Sequence, residues 1–273
     1  MYPKFISSLV ILCVLGSAVA AQRITLLTPE PSALATSFAD RLEDELGKQF
    51  RILDRGAAET SIRSLKIETP FNLTSEQSKR IGELTDCSHV VVVNVASTRR
   101  TSSARPNYFE AYAAIYLVNT RTGFLDQFVL ESKQGNTAAE AEAALDKAVE
   151  SVAQVLSSQI TKMVPPYSYI PFETYDPDSK TVRPAMPYKR IKPEYTPAAY
   201  LYGIAATVEA EVSIDANGEV KRIDITRWAG YGLDESVIAA IRQMNWRPGE
   251  RNGKPLPMRV LLRYNFTRIE KEQ

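Results

Sequence analysis

Catalysis needs side chains that shuttle protons, attack as nucleophiles or hold a metal, brought together in space. This chain has few of them. His89 is its one histidine. It opens onto the valine run Val90–Val93, which reads as buried strand, so its expected role is structural. Cys87, two residues earlier, reads as a small buried apolar residue, with a reactive thiol as the alternative. The densest acidic group, Glu43-Asp44-Glu45, is consecutive on a helical stretch, so its carboxylates fan apart instead of converging on a metal. Glu140 and Glu142 lie on another amphipathic helix and are expected to face water. No glycine-rich phosphate loop follows a strand. The pattern predicts no catalytic residue, no metal site and no cofactor.

Composition points the same way. The chain has 273 residues, enough for two domains, and a formal charge of only +1, so nothing demands nucleic acid as a partner. Two basic groups could still meet a partner. Lys189-Arg190-Ile191-Lys192 could meet an anionic one, or be a solvated lead-in. Arg99-Arg100 with Ser102, Ser103 and Arg105 reads as a hairpin-edge loop.

Residues 1–21 read as a secretory signal: Lys4, an apolar run from Phe5 to Gly16, then Ala18-Val19-Ala20 before Ala21-Gln22. The apolar region is about 16 residues, against the ~20 of a spanning helix, but an uncleaved inner-membrane anchor is the alternative. Cleavage would leave Cys87 without an intrachain partner, because the other cysteine is Cys13. The expected location is the periplasm, or the inner membrane if the anchor stays.

The elements that position these groups divide into two expected domains, 22–163 and 187–273, around a proline-rich linker, 164–186. The first half reads β-α-β-α-β-β-β-α. It has a strand at Ile24–Thr28, a helix with Leu34, Phe38, Leu42 and Leu46 inward, and a strand at Phe50–Leu53. Helical patches follow at Ala57–Leu65 and Ser75–Leu84, with Thr74 as N-cap. Val90–Val95 has the pattern of a strand buried on both faces. A polar loop from Thr98 to Asn107, a hairpin over Tyr108–Glu131 turning at Asn119–Gly123, and one long helix from Ala138 to Met163 complete it. From Val164 to Pro197 eight prolines recur (165, 166, 171, 177, 184, 187, 193 and 197), with Tyr167, Tyr169 and Tyr175 among them. Such a segment is either a linker docked on one domain or a semi-rigid spacer.

The second half reads β-β-α-β, and the whole chain reads as a two-domain α/β and α+β protein. Ala206, Val208, Ala210, Val212 and Ile214 alternate with polar residues. Asp215-Ala-Asn217-Gly218 is a hairpin turn, and Val220–Arg227 returns. Leu233, Val237, Ile241 and Met244 recur at helical spacing behind Asp234-Glu235. Met258, Val260, Leu262, Tyr264 and Phe266 alternate with Arg259, Leu261, Arg263 and Asn265 in a last strand.

Residues 187–268 resemble the C-terminal domain of the TonB energy-transducer family. The landmarks fall in order: Pro193-x-Tyr195-x-Pro197, Gly203-Ile204, the Asn217-Gly218 hairpin, Leu233-Asp234, Trp246-x-Pro248, Gly253-Lys254-Pro255 and an aromatic end to the last strand. Residues 23–163 resemble the periplasmic domain family of CsgG, FlgO and the penicillin-binding-protein activator LpoB. The matching features are an opening apolar strand, Ala39–Leu46, Arg51–Arg55, the valine strand and Asn119–Leu125. The first resemblance implies a protein that holds extended peptides of outer-membrane transporters and supports transmembrane transport as an energy transducer. The second implies a soluble periplasmic assembly or activator protein. Separately from either resemblance, a homo-oligomer stays open. The anchors of the TonB energy-transducer family usually carry an intramembrane histidine, and residues 1–21 have none, which counts against direct coupling to a motor partner.

The expected partner site is the last strand itself: Met258, Arg259, Val260, Leu261, Leu262, Arg263, Tyr264, Asn265 and Phe266. At a sheet edge its unpaired backbone groups could accept another extended chain. Arg259 and Arg263 would either favour an acidic or polar peptide or only protect the edge.

Overall fold

The structure, a computed structural model, describes residues 22–102, 107–162, 172–174 and 181–267. The expected signal or anchor, Ser103 and Arg105 of the polar loop, Met163, the prolines at 165, 166, 171 and 177, and Tyr167, Tyr169 and Tyr175 lie outside the described residues.

The first half runs β1 (Arg23–Leu27), α1 (Ala33–Gly47), β2 (Arg51–Ile52), α2 (Arg55–Arg63), α3 (Ser75–Thr85), β3 (His89–Arg100), β4 (Tyr108–Asn119), β5 (Leu125–Gly135), α4 (Ala138–Asp146) and α5 (Val149–Ile160). Its five strands form one sheet in the order β2-β1-β3-β4-β5. β1 is parallel to β2 and β3, and the β3-β4-β5 pairs are antiparallel. Ser32 caps α1, its hydroxyl accepting from the Ala35 N–H at 3.0 Å. The Thr74 signal is realised as a full capping box: Thr74 accepts from the Gln77 N–H and the Gln77 side chain accepts from the Thr74 N–H.

The valine run divides by parity. Val91, Val93 and Val95 pack under α1, α4 and α5, while Val90 and Val92 face the opposite core, so β3 is covered on both sides. β3 continues to Arg100, beyond the expected start of the loop, because its pairing with β4 extends to Arg100 and Tyr108. The helix expected over Ala138–Met163 is two helices. Neither Lys147 nor Ala148 is a helix breaker. The Ala148 N–H instead closes on the Leu145 carbonyl at 2.9 Å, a tightened turn. It lets α4 lie on β4 and β5 while α5 lies along α1.

The second half runs β6 (Glu173–Thr174), β7 (Val182–Arg183), β8 (Met186–Pro187), α6 (Pro197–Tyr202), β9 (Ala206–Ile214), β10 (Val220–Arg227), α7 (Leu233–Arg242), β11 (Trp246–Arg247), β12 (Gly249–Arg251), β13 (Lys254–Leu256) and β14 (Met258–Phe266). The expected β-β-α-β is present as β9, β10, α7 and β14, with α6 and several two- or three-residue strands added. The main sheet has the order β10-β9-β14-β6. α6 begins with Pro197 behind the Thr196 cap and ends at Gly203 in the left-handed region, φ +63°.

The two halves share one apolar core. The face of the first sheet not covered by α1, α4 and α5 carries Tyr116 and Phe128, and these meet Trp228 and Tyr231. Ring centroids lie 5.0 Å apart for Tyr116–Trp228, 4.9 Å for Phe128–Tyr231 and 4.6 Å for Tyr112–Tyr202. Such pairs add about 0.5–1.5 kcal/mol each beyond the area they bury. Trp228 is 0 % exposed. Asn72 reaches across the junction: its amide donates to the Thr207 carbonyl at 2.8 Å and to the Trp228 carbonyl, and its oxygen accepts from the Thr207 N–H at 3.1 Å. The chain comes so close here that a Cβ on Gly230 would sit 2.7 Å from the Phe128 ring.

Candidate functional site

All nine expected partner-binding residues lie on β14. One edge of β14 pairs with β9 along its whole length, from Met258 opposite Ile214 to Phe266 opposite Ala206. The other edge pairs with β6 at Met258 and Arg259 alone. From Val260 to Phe266 no strand covers that edge among the described residues. Backbone donors and acceptors of alternate residues there point away from β9, as in any sheet edge.

Met258, Val260, Leu262 and Phe266 are buried on the core side of β14, and Phe266 stacks on Tyr195 at 6.3 Å. Tyr264 is half-buried, and burial raises its hydroxyl pKa above the ordinary tyrosine value. On the other face the two arginines are neutralised by β9. Arg263 meets Glu209 at 2.8 Å and Arg259 meets Glu211 at 3.6 Å. Asn265 accepts from the Thr207 hydroxyl at 3.0 Å. Leu261, between the two ion pairs, is 53 % exposed. An exposed apolar side chain therefore stands between the two arginines to which the sequence pointed, and Arg263 itself stays exposed despite its ion pair.

Beside this edge runs a groove of about 570 Å³. Val260, Leu261 and Leu262 form one wall and Met186, Pro187 and Trp246 the other. Trp246 of the second wall comes from β11, and Met186 and Pro187 come from the proline-rich stretch, which sequence reasoning did not place in a site. Its signal was weak: isolated dipeptides such as Val182-Arg183 and Met186-Pro187, whose strand character appears only when β12 and β11 pair with them.

The residues that could do chemistry are used otherwise. His89 lies between Ser88 and Asp126, with Nδ1 3.1 Å from the Ser88 hydroxyl and Nε2 3.2 Å from the Asp126 carboxylate. The set resembles a nucleophilic triad in composition only. The Ser88 hydroxyl donates to the Arg23 carbonyl at 3.1 Å, and Asp126 also accepts from Asn119. The cluster ties β1, β3, β4 and β5 together at one end of the sheet. Cys87 is buried, and burial raises its thiol pKa above the ordinary value. Glu43 pairs with Arg55 at 2.7 Å and Glu45 with Lys48 at 2.6 Å, so the acidic run diverges. Among the described residues no three His, Cys, Asp or Glu side chains are grouped to hold a metal. Lys189 and Arg190 are exposed, and Arg190 stands at the groove. Arg100 turns inward: it pairs with Glu110 at 2.7 Å and lies over the Tyr202 ring at 5.5 Å.

The open edge of β14 lies within the stretch of the chain that matches a known family. Residues 191–267 match the sequence model of the family described as the Gram-negative bacterial TonB protein C-terminal. No curated protein matches the chain. Among solved structures, the TonB C-terminal domain of Pseudomonas aeruginosa matches at 19 % identity, with 35 % of this chain and 94 % of that one covered and a TM-score of 0.27. The hypothetical protein CT253 of Chlamydia trachomatis matches at 11 % identity, covering 52 % of this chain and 100 % of that one, TM-score 0.37. The LpoB C-terminal domain of Salmonella enterica matches at 14 % identity, covering 44 % and 87 %, TM-score 0.29. Both resemblances read from the sequence thus recur in the comparisons. Among the described residues, no helix is long and apolar enough to cross a membrane.

Proposed function

We propose that this chain is a non-enzymatic cell-envelope protein that holds an extended peptide of an outer-membrane partner, a transporter in the first instance, along the outer edge of β14. The observation that carries this reading is the edge from Val260 to Phe266, which lies open beside an apolar groove. An extended peptide would add a strand there, gaining affinity from backbone hydrogen bonds and selectivity from alternate side chains. The family match over residues 191–267 supports the same use. Residues 22–163 carry the binding unit through the shared core, so whatever this half engages in the periplasm is joined rigidly to the peptide site.

The test uses the full chain, immobilised and exposed to detergent-solubilised outer-membrane proteins. Val260→Pro removes a backbone donor and distorts the strand, and Leu261→Asp places a charge on the exposed face while leaving the core intact. Both variants should lose about tenfold or more in capture of a discrete outer-membrane protein. Undiminished capture by both, with native circular dichroism, would overturn the edge model.

A further inference from the structure

Residues 173–174 and 181–190 precede the residues that match the family, yet they form a strap built into the rim of the β14 groove. Three separate pairings hold it. β6 lies parallel to Met258 and Arg259, with the Glu173 N–H donating to the Pro257 carbonyl at 3.3 Å and Glu173 paired to Arg251 at 2.7 Å. β7 pairs with β12, reinforced by Arg183–Glu250 at 2.9 Å and by the Asn252 N–H on the Thr181 carbonyl at 3.1 Å. β8 pairs with β11, and the Tyr188 N–H donates to the Asn245 carbonyl at 2.9 Å.

The strap changes what the edge can accept. Where β6 lies, the first two residues of β14 are already paired, so an incoming strand finds free backbone only from Val260 onward. Opposite that free edge the strap presents Met186, 50 % exposed, and Tyr188, 74 % exposed, facing a groove whose other wall carries Leu261, 53 % exposed. These are three of the seven large apolar side chains exposed among the described residues, gathered in one place. A folded protein rarely gathers exposed apolar groups without a partner to cover them. The arginines flanking Leu261 are paired to Glu211 and Glu209, so the charge left at the groove is Arg190, and Met186, Tyr188 and Leu261 supply its apolar contact.

We infer that Met186 and Tyr188 of the strap are specificity-determining residues of the β14 site. With Leu261 they select an extended peptide bearing apolar side chains at alternate positions, in a register set by β6. This inference rests on the edge-binding reading above and adds to it a recognition element outside the family-matching residues. Each apolar side chain seated between the strap and Leu261 leaves water on both of its faces, and a polar side chain there would gain nothing.

The experiment titrates the ¹⁵N-labelled full chain with the peptide acetyl-Lys-Thr-Leu-Thr-Leu-Thr-Lys-amide and with its analogue carrying Ser for both Leu. Amide shifts at Val260–Phe266 and at Met186 and Tyr188 should move together with the leucine peptide. The serine peptide should bind about tenfold more weakly or worse. The double variant Met186→Ser/Tyr188→Ser, with native circular dichroism as the check because Met186 Sδ accepts from Arg247, should cost the leucine peptide a similar factor. Shifts confined to β14, with equal affinity in the double variant, would overturn the inference and leave edge binding standing. No shift anywhere along β14 at millimolar peptide would overturn both.

Discussion

The carboxylate of Glu110, on β4, accepts a hydrogen bond from the hydroxyl of Tyr202, on α6, at 2.9 Å. The two residues are 92 positions apart and belong to different sheets' surroundings. Glu110 also accepts from Arg100 at 2.7 Å and from the Ser132 hydroxyl. This polar knot sits beside the aromatic cluster that joins the two halves.

Burial alone would push the Glu110 carboxyl up, but the hydrogen bonds from Ser132, Arg100 and Tyr202 outweigh it and hold the group below the ordinary carboxylate value. A depressed folded-state pKa stabilises the fold above the unfolded value of about 4.3 and loses that contribution as pH falls through the folded value. Thermal unfolding followed from pH 7 to pH 3 should therefore show an acid limb to which Glu110 contributes. Glu110→Gln should flatten that limb and lower stability at pH 7 by about 1–3 kcal/mol, since Arg100 loses its buried counter-charge. An unchanged limb in the variant would count against the knot.

Asp234 titrates in the opposite sense. Burial raises its carboxyl to about 7, against the backbone N–H groups of Gly230 and Ala229, which favour the charged form. A raised folded pKa stabilises most below the unfolded value of about 3.9, and the contribution is lost as pH rises through 7. The melting temperature should fall between pH 5.5 and pH 8, and Asp234→Asn should remove that slope. The midpoint also offers a check: infrared bands of the carboxyl should report a protonated acid at pH 5.5.

The shared core predicts one unfolding transition. Both tryptophans, Trp228 and Trp246, lie in the second half, so their fluorescence reports that half, and far-UV circular dichroism reports both. The two signals should coincide in urea. Trp228→Ala should cost about 3–5 kcal/mol. Gly230→Ala should also destabilise, because a methyl group there meets Phe128 at 2.7 Å and φ is +71°. Two separated transitions in the wild-type chain would contradict a single core.

Much of this was legible in the residue pattern. The alternation of Ala206–Ile214 and Met258–Phe266 defined β9 and β14, the valines defined β3 with two covered faces, and Thr74 marked its helix. Each is a local signal with period or cap chemistry of its own. What escaped depends on distant partners. The break at Lys147-Ala148 follows from where α4 and α5 are buried, β6 to β8 are strands only because other strands meet them, and no spacing announces that Tyr116 will stack on Trp228. At the site the strand itself was readable. The neutralisation of its arginines and the wall opposite Leu261 were not, because both are supplied across the fold by Glu209, Glu211, Met186 and Trp246.

The most direct test places a photo-crosslinking amino acid at Leu261 of the full chain in living cells, with Val155 on α5, also exposed, as the control position. The account predicts a crosslink from Leu261 to an extended segment of an outer-membrane protein, absent from Val155 and lost when Val260→Pro is added. Equal crosslinking from both positions, or a Leu261 crosslink that survives Val260→Pro in folded protein, would contradict it.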